Sequence, residues 1–432
     1  FSNVKDFEGE GSFYVTAKDP EDPAVALLSV IGPKLIPTIV INELTTVASI
    51  FTHTRFMKES LIQGGSLLGL KVAAKNTPNL VDPVTGLWGK TVLDGLNLTI
   101  NATLARLNTL ASLITLAAKS GESKWRDKLF KLTQREGLSK PTNTIEALSG
   151  IAFAPWESAH EIFTLFNTGY FESKEGKTTA PISPYLFYPP PDFSLMLRFS
   201  EGGIYSPGKL ALDQESNLWT GMNWLAGSQS SVAKNLGGGT AKLSSSGKTL
   251  SPHVFGFSDV TGIGWGTAVV QNSVWIAGLD GSISILDLNG TVITPPSAFP
   301  LKKESGNLMG IGISESNDVW IADGTKNQLF YFKGGDYKEQ KQIKPPGLKS
   351  PFGVAVDKNN HVWVSNSLSN TVVRFLANDP TQITTYTVGH SARGIALDSK
   401  GNLWVASLLS PDMPMAKIPD GLSIMKQFQY EA

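Results

Sequence analysis

Cysteine is absent from all 432 residues. That excludes a disulfide framework and any thiolate-ligated metal site. An excess of either charge is absent too, since 37 Lys and Arg balance 37 Asp and Glu. A broad basic footprint for nucleic acid is therefore missing. No stretch approaches the roughly 18 uninterrupted apolar residues of a membrane-spanning helix. Histidine is scarce, with five copies. No Gly-x-x-x-x-Gly-Lys-Ser/Thr phosphate loop or Gly-x-Ser-x-Gly elbow lies in a strand–turn–helix setting. The catalytic inventory is poor. The chain starts at Phe1 rather than Met, which suits a processed N-terminus. Lack of cysteine suits export, so a secreted or cell-surface location is expected.

What the chain does have is a repeat. Five times a tryptophan closes nearly the same phrase. The clearest copies are Gly353-Val-Ala-Val-Asp357-Lys-Asn-Asn360-His-Val-Trp363 and Gly394-Ile-Ala-Leu-Asp398-Ser-Lys-Gly-Asn402-Leu-Trp404. Weaker copies end at Trp219, Trp275 and Trp320, with successive spacings of 56, 45, 43 and 41 residues. Four-stranded propeller blades run about 40–45 residues. The long first interval contains the Gly- and Ser-rich stretch Gly227 to Ser251, expected to be an exposed loop.

Each phrase reads as strand, turn, strand. The apolar β-branched run is a buried strand, and the Asp/Asn turn residues bond their own backbone. Third strands follow at Ser282 to Leu286, Gln328 to Phe332 and Thr371 to Phe375, and a fourth at Gln382 to Thr387. The indoles are expected to pack between blades. The Asp-x-x-Asn turns lack the run of acidic positions of a calcium loop, so turn chemistry explains them. Strand-like segments at Phe193 to Phe199 and Ser423 to Tyr430 flank the repeats, and one should complete a blade at the other end. Five or six blades are expected.

The first half is helical. Leu44, Val47, Ala48 and Phe51 share one helix face in Val40 to Met57, and Leu104, Leu107, Ala111, Ile114 and Ala118 share another in Ala102 to Lys119. Shorter helices are predicted over Thr142 to Phe153 and Trp156 to Asn167. His53 falls off its apolar stripe and is expected at a surface or interface. Tyr188-Pro-Pro-Pro191-Asp192 is stiff and extended, a linker or a docked strap. The expected organisation is a mainly helical domain over 1–188, a Pro-rich linker over 189–192 and an all-β propeller over 193–432. Sequons stand at Asn97, Asn101 and Asn289 and matter only if the source glycosylates exported proteins.

Pro351-Phe-Gly-Val-Ala-Val-Asp357 and Gly401-Asn402-Leu-Trp-Val-Ala406 resemble the phrases of NHL-repeat and streptogramin-lyase-like propellers of exported bacterial proteins. The resemblance spans residues 205 to 407 and implies a fold shared by lyases, lactonases and binding modules. The first half is similar to a helical region that precedes such propellers in uncharacterised bacterial families, through Val40 to Ala48, Asn79 to Asp82, Thr99 to Ala117 and Asp192 to Leu197. Those families often carry cysteines after the second of these helices, where this chain has Lys119-Ser-Gly-Glu-Ser123.

Aligning the phrases places Lys209, Trp265, Met309, Phe352 and Arg393 at one channel mouth. The second-strand ends add Asn223, Gly278, Asp323, Asn366 and Ser407. This mixed lining suits a polar organic ligand with an aromatic or sugar face. A lyase would need histidines and a glutamate with a divalent cation. His390 and His253 are placed near the mouth without a glutamate, and His361 sits in a turn facing the opposite side. A lactonase-like site would use Asp323 and Asn366 as two cation ligands, but its first-strand glutamate is missing. No cofactor is indicated. The leading expectation is an exported, non-catalytic propeller that binds a protein or glycan, with a homo-oligomer or polymer as a further partner state. A lyase or lactonase at the channel mouth, with His390 as its catalytic candidate, and a subunit of a surface filament are the alternatives.

Overall fold

The computed structural model describes residues 12–119, 123–172, 179–204, 206–222, 239–253, 256–257, 264–294 and 304–409. The chain divides into two compact units, residues 1–199 and 200–432.

The first unit begins with an antiparallel ribbon, β1 (Phe13–Lys18) and β2 (Ala26–Gly32), which the helical reading of this half did not anticipate. Among the described residues the second edge of β2 has no strand beside it. Its amides donate instead to hydroxyls: Ala26 to Thr144 Oγ1 at 2.9 Å, Leu28 to Thr46 Oγ1 at 3.0 Å and Val30 to Ser49 Oγ at 2.9 Å. Thr46 and Ser49 belong to α1 (Glu43–Thr52), whose N-cap Asn42 forms a reciprocal capping box with Thr45. The hydroxyls on this buried helix face thus satisfy backbone groups that would otherwise be orphaned.

A 3₁₀ turn (Thr54–Phe56) and the short strands β3 (Met57–Lys58) and β4 (Leu61–Ile62) lead to α2 (Leu67–Leu80) and α3 (Gly95–Ile100). Then follow α4 (Thr103–Ala118), α5 (Ser123–Leu132), α6 (Thr144–Phe153) and α7 (Ala159–Phe171). One core joins them through residues such as Val47, Ile50, Leu107, Leu110, Ile145, Ile162 and Phe166.

His53 is fully buried, contrary to its expected surface position. It caps α1, and its Nδ1 lies 2.9 Å from the Ser49 carbonyl one turn back, so Nδ1 carries the proton. Burial lowers its pKa to about 4, the Ser49 bond opposing this only in part.

The Pro-rich segment is a docked strap. Asn108 Nδ2 donates to the Pro184 carbonyl, Arg106 pairs with Asp192 at 3.3 Å, and Phe193 is buried in the helical core. Asn97 bonds Arg198 twice, accepting from its amide at 2.7 Å and donating to its carbonyl at 3.0 Å. Phe193 to Phe199 is therefore not the first propeller strand: its backbone groups are taken by α3 and α4 side chains. Asn97 is buried with its amide nitrogen engaged, which removes it as a glycosylation site in this fold; Asn289 is exposed in a turn.

The second unit is a series of antiparallel sheets, each in chain order. The first comprises β5 (Pro207–Leu212), β6 (Leu218–Met222) and β7 (Thr240–Leu243). The second holds β8 (Gly264–Val270), β9 (Ser273–Gly278), β10 (Ile283–Asp287) and β11 (Val292–Thr294). The third holds β12 (Leu308–Ile313), β13 (Val319–Asp323), β14 (Gln328–Phe332) and β15 (Gln340–Ile343). The fourth holds β16 (Pro351–Val356), β17 (His361–Asn366), β18 (Thr371–Leu376) and β19 (Asp379–Thr387). The fifth has β20 (His390–Leu397) and β21 (Leu403–Leu409) among the described residues. Ser423 to Tyr430 lies outside them. First strands pack in succession, β5 on β8, β8 on β12, β12 on β16 and β16 on β20. The stretch read as a loop from Gly227 to Ser251 is one only in part: it includes β7, and Ser251 is buried and donates to the Gly202 carbonyl.

The recurring phrase has a mechanical explanation. Asp213, Asp357 and Asp398 each accept the amides two and four residues on, and then the indole Nε1–H of Trp219, Trp363 or Trp404, at 2.9–3.2 Å. Asn217 and Asn402 add an amide bond to the same carboxylate. In the fourth sheet that place belongs to His361, whose Nδ1 lies 3.1 Å from Asp357 Oδ2, and not to Asn360. Asn360 instead takes the left-handed turn position, φ 59°, which Ser216 and Gly401 occupy elsewhere. His361 is thus a clamp residue rather than a solvated one.

Candidate functional site at the inner-strand ends

Every first strand carries a register irregularity near its start, for example between Pro207 and Leu210, Leu308 and Ile311, and Pro351 and Val354. Pro207 pairs with Met222 as Leu308 pairs with Asp323 and Pro351 with Asn366. By that register Gly208, not Lys209, is the equivalent of Met309 and Phe352. Lys209 stands where later strands have Gly310 and Gly353. Those glycines are needed for close approach: a Cβ on Gly310 would sit 2.5 Å from the Phe352 carbonyl oxygen, and one on Gly353 2.4 Å from that of Arg393. In the first sheet Gly208 meets the Trp265 carbonyl this way, at 2.6 Å, which leaves the next position free to carry a long side chain.

Four of the five expected mouth residues converge. Trp265 meets Phe352 edge to face with centroids 5.1 Å apart, and the Arg393 guanidinium stands 5.8 Å from the Phe352 centroid. Met309 packs in the same apolar cluster. Lys209 comes from the first sheet and donates through Nζ to the Ile311 carbonyl of the third at 2.7 Å. Surrounding protein atoms lower its pKa, yet its side chain stays open to solvent. Met309 and Phe352 are buried and form a floor, whereas Trp265, Arg393 and Lys209 are accessible in part.

Sequence reasoning missed the residue that positions Arg393. Ser365 Oγ in β17 accepts the Gly353 amide at 2.8 Å and donates to the Arg393 carbonyl at 2.6 Å, pinning β20 to the fourth sheet. A buried serine inside an apolar strand phrase was the available signal.

The second-strand ends behave differently. Asp323 is fully buried, and its carboxylate accepts from the amides of Gly306, Thr325 and Lys326 and from Gln328 Nε2. Asn366 is fully buried too, accepting from the Lys349 amide and donating to the Gly347 carbonyl and Thr371. Both organise loops, their side-chain oxygens bonded by neighbouring donors. Gly278 is committed to the turn ending at Ser282, and Ser407 is half-buried opposite Ala392. Asn223 lies outside the described residues. Among the described residues no three His, Asp or Glu side chains converge as a metal site would require. His390 is half-buried at the start of β20, opposite Leu409, and His253 is exposed.

No family model and no curated protein matches the chain. Solved structures do. The chain is similar to a streptogramin B lyase structure, with a TM-score of 0.37 and 16% identity over 48% of this chain and 66% of that one. It is similar to a gluconolactonase from Xanthomonas campestris, with a TM-score of 0.35 and 11% identity over 46% of this chain and 69% of that one. It is also similar to a nidogen/laminin complex structure, with a TM-score of 0.33 and 13% identity over 42% of this chain and 64% of that one. The chain spans less than two thirds of the first lyase's length, and the likeness is one of fold.

Proposed function

We propose that this is an exported, non-catalytic propeller protein that binds an extracellular protein or glycan at the inner-strand ends. The observation that carries the reading is the surface made by Trp265 and Arg393 over the buried Phe352 floor, with Lys209 on the facing wall. A half-buried indole and two cations suit a ligand with a flat apolar face and acceptor oxygens, such as a sugar ring or a peptide. The carboxylate of Asp323 and the amide of Asn366 are engaged by loop backbone. A screen of glycans and peptides by calorimetry tests the reading. Trp265→Ala should weaken any captured ligand by about tenfold to a hundredfold, as loss of a stacking anchor does. Binding indifferent to Trp265→Ala and Arg393→Ala together would place the function elsewhere.

A second reading, a lyase or lactone hydrolase, is favoured by one observation: His390 begins the strand that carries Arg393 and sits at the same end. Its test is turnover of lactone and macrocyclic ester substrates. His390→Ala should abolish any such activity with the fold intact.

A further inference from the structure

The tryptophans of the first three phrases each cover the sheet that follows. Trp219 packs with Val274 and Ile276 of the second sheet, and Trp275 with Ile311, Val319 and Ile321 of the third. Trp320 packs with Val354, Val362 and Val364 of the fourth, and its ring lies 5.9 Å from Phe375. These three indoles are 0%, 1% and 1% exposed. Each of these three sheet interfaces therefore has two halves: a tryptophan face and an aliphatic face built from alternate residues of the next sheet's first two strands.

Among the described residues both halves recur without a partner at the ends of the series. Trp404 is 68% exposed, although its clamp to Asp398 is intact. Ala396 pairs opposite it, and Leu408 continues its face at 47% exposed. At the other end Leu210 and Leu212 are 53% and 63% exposed. By strand register Leu210 is the equivalent of Ile311 and Val354, two residues that a preceding tryptophan buries. Among its described residues one chain thus displays an unmatched tryptophan face and an unmatched aliphatic face, shaped by the same repeat to fit each other.

We propose that the Trp404 face of one copy docks on the Leu210–Leu212 face of a second copy of this chain. The contact continues the interface already built between consecutive sheets. It is heterologous, since each copy offers a different half, so it adds copies head to tail into closed rings or open filaments. The proposal does not depend on the binding surface described above.

The absence of cysteine makes the test clean. Trp404→Cys and Leu210→Cys are made in separate full-length chains, mixed in equal amounts and oxidised. The expected product is a disulfide joining one chain of each kind, formed faster than either variant links to itself. In sedimentation equilibrium the unmodified chain should self-associate with concentration, and its tryptophan emission should shift to shorter wavelength in step. Leu210→Ser with Leu212→Ser should weaken that association by about thirtyfold. Both positions are exposed, and unchanged far-ultraviolet dichroism checks that the variants fold. A chain that stays monomeric at all concentrations overturns the proposal. So does association that neither face variant weakens. So does a Trp404→Cys, Leu210→Cys double variant that links only within one chain, which would mean that the series closes on itself.

Discussion

Asp398 shows what a single carboxylate does in this repeat. The Asn402 side-chain amide, then its backbone amide, with Trp404 and Lys400, push its pKa down to about 2. Burial alone would raise Asp213 and Asp357, but donors led by Trp219 and Trp363 outweigh it and hold both below the usual carboxylate value. A depressed folded pKa contributes stability that is present above the unfolded value, about 3.9, and is lost as pH falls through the folded one. The propeller unit should therefore show a steady urea midpoint above about pH 5 and a falling one toward about pH 2, and Asp398→Asn should reduce that slope. The third sheet reverses the clamp: Ser314 stands at the Asp position and Asp318 at the Asn position, and Trp320 Nε1 is buried without an acceptor. Ser314→Asp combined with Asp318→Asn restores the arrangement of Asp398 and Asn402. It should stabilise the protein by about 1 kcal/mol in urea unfolding, the usual gain for satisfying a buried donor.

At the scale of elements, α1 serves as a surrogate strand along β2. Its hydroxyls at Thr46 and Ser49 hold the strand's free amides, so Ser49→Ala should cost about 1–3 kcal/mol, the penalty for orphaning a buried amide, read from chemical denaturation. His53 closes the same helix. Its lowered pKa means that the unfolded chain takes up a proton before the folded one does. Its stabilising effect is complete above about pH 6.5 and is lost as pH falls toward about 4, roughly 3 kcal/mol in all. His53→Asn should flatten the helical unit's stability across that window, measured by dichroism-monitored unfolding at several pH values. The apolar stripes of α1, α4, α6 and α7 were legible because a helix facing one core leaves a regular period. The β1–β2 ribbon was not, because its free edge is satisfied by side chains 18 to 118 residues away.

At the scale of the molecule, the division between units follows hydrogen bonds rather than composition. The proline triplet suggested a boundary near residue 188, but the chain stays bonded to α3 and α4 as far as Arg198. A fragment of residues 1–199 should unfold at a clearly higher urea concentration than one of residues 1–188. The shorter piece loses Phe193 from its core, a change that costs about 3–5 kcal/mol for a buried phenylalanine. The mouth was legible in part. Trp265, Met309 and Phe352 were found by alignment because each precedes a glycine that must approach the next sheet's carbonyl, and Arg393 because it stands before Gly394 in the same phrase. Lys209 was matched to the wrong position, because the close-approach glycine of its strand, Gly208, precedes it and a strand irregularity hides the offset. Asp323 and Asn366 looked like ligands because residue type does not reveal which backbone amides a side chain will meet.

The sequence by itself determined the repeat, the strand and turn order of each sheet, the Trp of each phrase and the Asp of three of them, because these are short-range demands of turn chemistry and alternation. The tertiary structure alone decided which side chains face each other across the inner strands, where the strap docks, and that Trp404 and Leu210 are left uncovered. Those outcomes depend on register and on contacts between residues far apart in the chain, and a one-residue shift in a strand changes which side chain reaches a face.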